Sequence, residues 1–183
     1  MFSIFAVVSV LSGGAFCLVP ETPVAVTRAN YLITATDDFI VDVYENGNPV
    51  PDESRHLLVE RFGATVERID TSVHKGDWLV FHVVNNRLRW GGSCYFGVSG
   101  SFAENEFGFV SKSSNCNWSV CESASNSSKF IRKKNFGTKN MTLKPVNSWY
   151  EGDIFMKQYA GDKWNGEGIW GHGRSIWIKV LVD

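Results

Sequence analysis

The chain has 183 residues, of which 44% are hydrophobic and 20% charged, and its formal charge is −1. That apolar content offsets the entropy of ordering, which excludes a disordered chain, and the length suits one domain. The balanced charge excludes a whole-chain attraction to nucleic acid or to an acidic membrane, so neither partner is expected. Aromatic residues stand out, with 13 Phe, 7 Trp and 5 Tyr.

Residues 1–17 read as a secretory signal peptide. Met1 to Leu11 is apolar and uncharged, and small residues follow at Ser12, Gly13, Gly14 and Ala15. The run is shorter than the roughly 20 residues that a membrane span needs. Ala15 and Cys17 are small enough to flank a cleavage site after Cys17, with cleavage after Ala15 as the alternative. Residues 18–28 then form an N-terminal linker and residues 29–183 the domain. The chain is expected to be secreted and extracellular, without stable membrane insertion.

The dominant sequence period is two, which marks strands. Tyr31 to Thr36 is β-branched and short. Phe39 to Tyr44 alternates, which predicts Phe39, Val41 and Val43 on one face, and Asn46-Gly47 supplies a turn. Pro49 and Pro51 keep the next stretch out of a central sheet. His56 to Arg61 is the best short helix candidate, and no helix longer than two turns is predicted. Ala64 to Asp70 follows as a strand. Trp78 to Val84 is a stronger one, with Leu79, Phe81 and Val83 facing one way after the Gly76-Asp77 turn. Tyr95 to Val98 and Phe107 to Val110 are short candidates. Residues 111–130, rich in Ser and Asn, read as a loop anchored by Trp118. Ile176 to Val182 closes the chain, with Ile176, Ile178, Val180 and Val182 on one face. Many short strands joined by Gly, Asn and Pro turns point to an all-β sandwich or barrel.

The cysteines are Cys17, Cys94, Cys116 and Cys121. In an oxidising route, two of Cys94, Cys116 and Cys121 are expected to form a structural bridge, with the pairing open. Cleavage after Cys17 leaves an odd thiol that could link two chains into a dimer. Asn117, Asn126 and Asn140 each begin an Asn-X-Ser/Thr acceptor for N-glycosylation.

Two blocks carry a resemblance. One is Asp37-Asp38-Phe39-Ile40-Val41-Asp42-Val43-Tyr44-Glu45-Asn46-Gly47. The other is Gly76-Asp77-Trp78-Leu79-Val80-Phe81-His82-Val83-Val84-Asn85. Both resemble the galactose-binding-like jelly-roll β-sandwich domains, a group that includes carbohydrate-binding modules and lectin-like domains. The likeness would run from Ala29 to Asp183. Trp78 stands where the group often has a small or polar residue, and Ser111 to Ser128 looks like an insertion. The resemblance implies a single all-β jelly-roll domain that binds a glycan or glycoprotein and is not an enzyme. It also implies loops at one end, or one sheet face, as the binding site, and in some members a structural calcium ion.

Sugar recognition needs a flat apolar face for the C–H side of a pyranose and polar groups for its hydroxyls. Arg87, Arg89, Trp90 and Tyr95, in and beside a Gly-rich loop, supply both and are the candidate ligand residues, with Trp164 from a second aromatic loop. Gly166 to Gly171 matches Gly-x-Gly-x-x-Gly, but a strand rather than a helix is predicted after it, so no dinucleotide site is expected. Asp37 and Asp38 are neighbours on a strand and point to opposite faces, which opposes an acid/base pair. They also supply too few oxygens for calcium. No metal-ligand motif is present, and no cofactor is expected. Lys129, Arg132, Lys133, Lys134 and Lys139 form one basic cluster that could meet sulfated glycans or acidic surfaces, or could be a solvated edge. The leading expectation is a lectin-like module, and the alternative is a structural or protein-interaction glycoprotein.

Overall fold

A computed structural model describes residues 30–61, 63–85, 94–102, 107–114, 116–136, 143–146, 150–161 and 164–182. The strands are β1 (Tyr31–Asp37), β2 (Phe39–Glu45), β3 (Asn48–Pro49), β4 (Arg55–Arg61), β5 (Ala64–Asp70), β6 (Trp78–Val84), β7 (Phe96–Phe102), β8 (Phe107–Val110), β9 (Trp118–Cys121), β10 (Lys144–Pro145), β11 (Ile169–Trp170) and β12 (Ser175–Leu181). Helix α1 spans Ala124–Arg132 and α2 spans Tyr150–Ala160.

The strands form two antiparallel sheets. The larger runs β10-β11-β7-β1-β5-β4, with β8 also on β7, and the smaller runs β3-β2-β6-β12-β9. Their inner faces share one apolar cluster. Leu32, Ile69, Phe96 and Val98 come from the larger sheet, and Ile40, Val43, Leu79, Phe81, Ile176 and Ile178 from the smaller. Phe81 and Phe96 meet across the gap with ring centroids 4.9 Å apart. Burying one such side chain is worth about 1.5–3 kcal/mol, so this layer holds the two sheets together.

Each outer face carries a helix. Met156 of α2 packs with Ile33, Ala35, Ala64 and Val66 on the larger sheet. Phe130 and Ile131 of α1 pack with Val80 and Trp177 on the smaller. This explains why β1 and β12 are buried on both faces at their centres. It also explains Lys179, 1% exposed on β12, whose Nζ donates to Lys133 O at 2.7 Å and Phe136 O at 3.0 Å and lies 4.2 Å from the Phe130 ring centroid. Burial lowers its pKa to about 8.

Several expectations hold. Asn46 and Gly47 form the turn, with φ of 51° and 83°. Leu79, Phe81 and Val83 face the core, as do Ile176, Ile178, Val180 and Val182. Pro49 sits in a two-residue edge strand. The strand after the glycine run is β12, not a helix.

Others are corrected. His56 to Arg61 is part of β4, not a helix, because pairing with β5 overrides local propensity. The predicted loop 111–130 contains β9 and the start of α1, which has only Phe130 and Ile131 buried and little apolar periodicity to read. α2 has 11 residues and also exceeds the expected limit of two turns. On β2 a bulge between Ile40 and Asp42 resets the alternation. Ile40 and Val43 therefore point inward while Phe39 and Val41 are exposed.

No bond joins any two of Cys94, Cys116 and Cys121. Cys94 belongs to the cluster between the sheets and Cys121 to the cluster outside the smaller sheet, so a bridge would have to cross that sheet. Cys116 and Cys121 lie on either side of Trp118 to Val120, an extended stretch rising about 3.3 Å per residue. The expected structural bridge is thus absent among the described residues.

Candidate functional site

A cleft of about 520 Å³ opens at one end of the sandwich. One wall is the end of β2 with its turn and β3: Glu45, Asn46, Asn48, Pro49, Val50 and Pro51. The other is the end of β5 and the chain after it: Asp70, Thr71 and Ser72. Ser54 also lines it. Local bonds hold the first wall. Asn46 N donates to Trp78 O at 3.0 Å, Trp78 N to Asn46 Oδ1 at 3.2 Å, and Val50 N to Val43 O at 2.8 Å. Gly47 is required on two counts. Its φ is positive, and an added Cβ would lie 3.1 Å from Arg132 Cα, because the end of α1 packs against this turn.

The acidic groups of the cleft are already bonded. Glu45 accepts from Thr71 Oγ1 at 2.8 Å, Ser72 Oγ at 2.7 Å and Ser72 N at 3.3 Å. Asp70 accepts from Arg68 Nε at 3.0 Å and lies 3.2 Å from His56 Nε2. The arrangement puts the Thr71 and Ser72 hydroxyls and the Asp70 carboxylate opposite an apolar Pro-Val-Pro ridge, which the Glu45 carboxylate and the Asn46 and Asn48 amides flank on its own wall. That suits a polyol with one apolar side.

The opposite end carries a different polar cluster, at the loop that sequence reasoning favoured. Arg87, Arg89 and Trp90 lie outside the described residues, as does Asn140. Tyr95 and Trp164 are described and are 3% and 7% exposed, packed on the larger sheet with Met156. Their rings meet protein and offer no open stacking face. Burial raises the pKa of the Tyr95 hydroxyl, and Asp37 and Glu151 add to the shift. Asn85, at the end of β6, donates from Nδ2 to Asp37 Oδ2 at 2.6 Å, while its buried Oδ1 has no hydrogen-bond partner. Burial raises the Asp37 pKa from 3.8 to about 6, helped by the charges of Asp38 and Glu151 and opposed by the Asn85 bond.

A third constellation lies on the outer face of the smaller sheet. His82 Nε2 is 2.8 Å from Ser175 Oγ, and its Nδ1 is 3.5 Å from Asp42 Oδ2. The ring stacks on Trp177 at 4.3 Å, and burial lowers its pKa despite Asp42. Sequence reasoning missed it, because only the register of β2, β6 and β12 assembles residues so far apart.

Among the described residues, no group of three or more His, Cys, Asp or Glu side chains is placed to hold a metal ion. No described helix is long and apolar enough to cross a membrane. Asn126 is exposed on α1 and Asn117 is half-buried before β9. Lys129, Arg132, Lys133 and Lys134 are all exposed at the end of α1 and just beyond it.

Comparison with known protein families, with curated proteins and with solved structures returned no match to the chain. The galactose-binding-like resemblance therefore rests on its two sequence blocks, and the shared feature established for the chain is an all-β architecture of two packed antiparallel sheets.

Proposed function

We propose that the chain is a secreted, noncatalytic carbohydrate-binding module of the galactose-binding-like jelly-roll kind, with its saccharide in the cleft between the Glu45–Pro51 wall and Asp70–Ser72. The observation that carries this reading is the cleft's lining of hydroxyls, amides and carboxylates together with a Pro-Val-Pro ridge. A pyranose presents the matching surfaces, an apolar C–H side and an equatorial fringe of hydroxyls. The site differs from the loop residues Arg87, Arg89 and Trp90, which stay as the competing location for the same activity.

The test is a glycan-array screen followed by titration of the best ligand. Asn48→Ala with Ser54→Ala removes two cleft side chains that make no hydrogen bond to another described residue. Two lost hydrogen bonds, each worth about 0.5–1.5 kcal/mol, should weaken binding about tenfold or more. Unchanged binding in that variant, with loss in Trp90→Ala, would move the site to the loop. A folded protein that binds no glycan would overturn the carbohydrate reading.

One observation favours a second reading, a protein-interaction glycoprotein. Edge strand β4 exposes Leu57 and Leu58, with Leu57 59% exposed. Such an edge can pair with a strand of another chain. A partner captured by the native protein and lost in Leu57→Lys would support it.

A further inference from the structure

We infer that the cleft and the basic end of α1 form one continuous site for an anionic glycan of the sulfated or uronate-rich class. This inference rests on the carbohydrate reading above. The fold puts the two features side by side. The Asn46–Gly47 turn that walls the cleft packs on the last residues of α1, with the Gly47 Cβ position 3.1 Å from Arg132 Cα. Trp78 ties the same turn to the helix, since its backbone N donates to Asn46 Oδ1 and its Nε1 donates to Ile131 O at 3.0 Å.

That end of α1 is strongly cationic. Lys129, Arg132, Lys133 and Lys134 are exposed, and no acidic residue occurs from Ser123 to Phe136. Lys134 Nζ donates to Gly76 O, which brings the exposed Lys75 and His74 alongside. The overall charge of −1 conceals this separation of charge. Three or more cations beside a polyol cleft would meet the anionic groups of a chain whose neutral hydroxyls occupy the cleft. Of the two carboxylates inside the cleft, Asp70 is paired with Arg68, while the neutral donors on Glu45 do not cancel its charge. The carboxylates favour an uncharged sugar unit there and put the anionic groups on the rim.

The surface suits a glycan better than other polyanions. Among the described residues, the exposed large apolar side chains are Phe39, Val41, Leu57, Leu58 and Ile154, and none of these lies on α1 to insert into a lipid surface. Among the described residues there, Trp78 and Phe136 are half-buried and are not open stacking platforms for bases. The lysines act as point charges, and a dispersed array of sulfates or carboxylates accepts these without bidentate geometry.

The test uses the native chain on heparin-agarose and on a sulfopropyl matrix, with solution titrations against heparin oligosaccharides and hyaluronan oligosaccharides. The native protein should elute from heparin at higher salt than from sulfopropyl. Lys129→Gln/Arg132→Gln/Lys133→Gln should bind the preferred oligosaccharide about tenfold more weakly, the loss of three exposed ion pairs. Its melting temperature should match the native value, and Lys133→Glu alone gives a smaller loss if the triple variant does not fold. Lys112→Gln/Lys144→Gln/Lys157→Gln, with the same net charge, should bind normally. Equal losses in both triple variants, or equal elution from both matrices, would overturn the inference as simple ion exchange. Tighter binding to anionic vesicles or to RNA would also overturn it. Neutral glycans bound through the cleft with no gain from anionic ones would overturn it while leaving the carbohydrate reading intact.

Discussion

Replacing Asp37 by Asn should stabilise the protein at neutral pH. The carboxyl is half-buried beside Asp38 and Glu151, and its pKa rises from 3.8 to about 6. A group raised in this way favours folding below its unfolded value, and that contribution is lost as pH rises through about 6. At pH 7 the native fold therefore carries an ionised group that it disfavours. The gap between 3.8 and about 6 corresponds to about 3 kcal/mol at about 1.4 kcal/mol per tenfold change. Screening by solvent at a half-exposed site reduces this to about 1–1.5 kcal/mol. Asn keeps an acceptor for Asn85 Nδ2 and adds an amide donor beside the unpartnered Asn85 Oδ1. Urea unfolding of both proteins from pH 4 to 7.5 measures the effect. The stability difference should be near zero at pH 4 and grow to about 1–1.5 kcal/mol by pH 7. A difference that is constant with pH, or a destabilised variant at pH 7, would refute the electrostatic argument.

Arg55→Ala should cost about 3 kcal/mol in urea unfolding, because it strands the carboxylate of Glu67, now paired through two bonds of 2.9 Å. Arg55→Met with Glu67→Met should recover much of that loss, and a double variant as unstable as the single one would contradict it. Phe130→Ala should cost about 3–5 kcal/mol and loosen α1, read as faster amide exchange in residues 124–132. In native thiol titration Cys116 should react first, since Cys94 and Cys121 are each 7% exposed. Rapid reaction at Cys94 or Cys121 would contradict the packing, and a reduction-sensitive dimer lost in Cys116→Ser would show that this thiol links chains. Ser175 should stay unlabelled by a fluorophosphonate reagent; labelling abolished by His82→Ala would contradict the noncatalytic reading.

The inner faces of the sheets were legible because burial follows a period of two. Leu79, Phe81, Val83 and the Ile176 to Val182 alternation read directly as core. The outer faces were not. A strand covered by a helix is buried on both sides, so Trp177 and Lys179 break the pattern, and α1 itself has only Phe130 and Ile131 to mark it. The bulge at Ile40/Asp42 separates Phe39 and Val41 from the buried face of Val43, because the extra residue breaks the alternation between the residues before it and those after it. The cleft was harder still. Glu45, Asn48, Thr71 and Ser72 look like ordinary turn residues, and only the pairing of β2 with β3 and the return of β5 to the same end bring them together. Tyr95 and Trp164 drew attention as aromatics near loops, whereas α2 and the larger sheet bury both.

The most direct test of the account is backbone amide NMR with the best glycan from the array. Shifts should concentrate in residues 45–54 and 70–72, with anionic glycans extending them to residues 129–134. Shifts confined to residues 85–95 would contradict the cleft as the binding site.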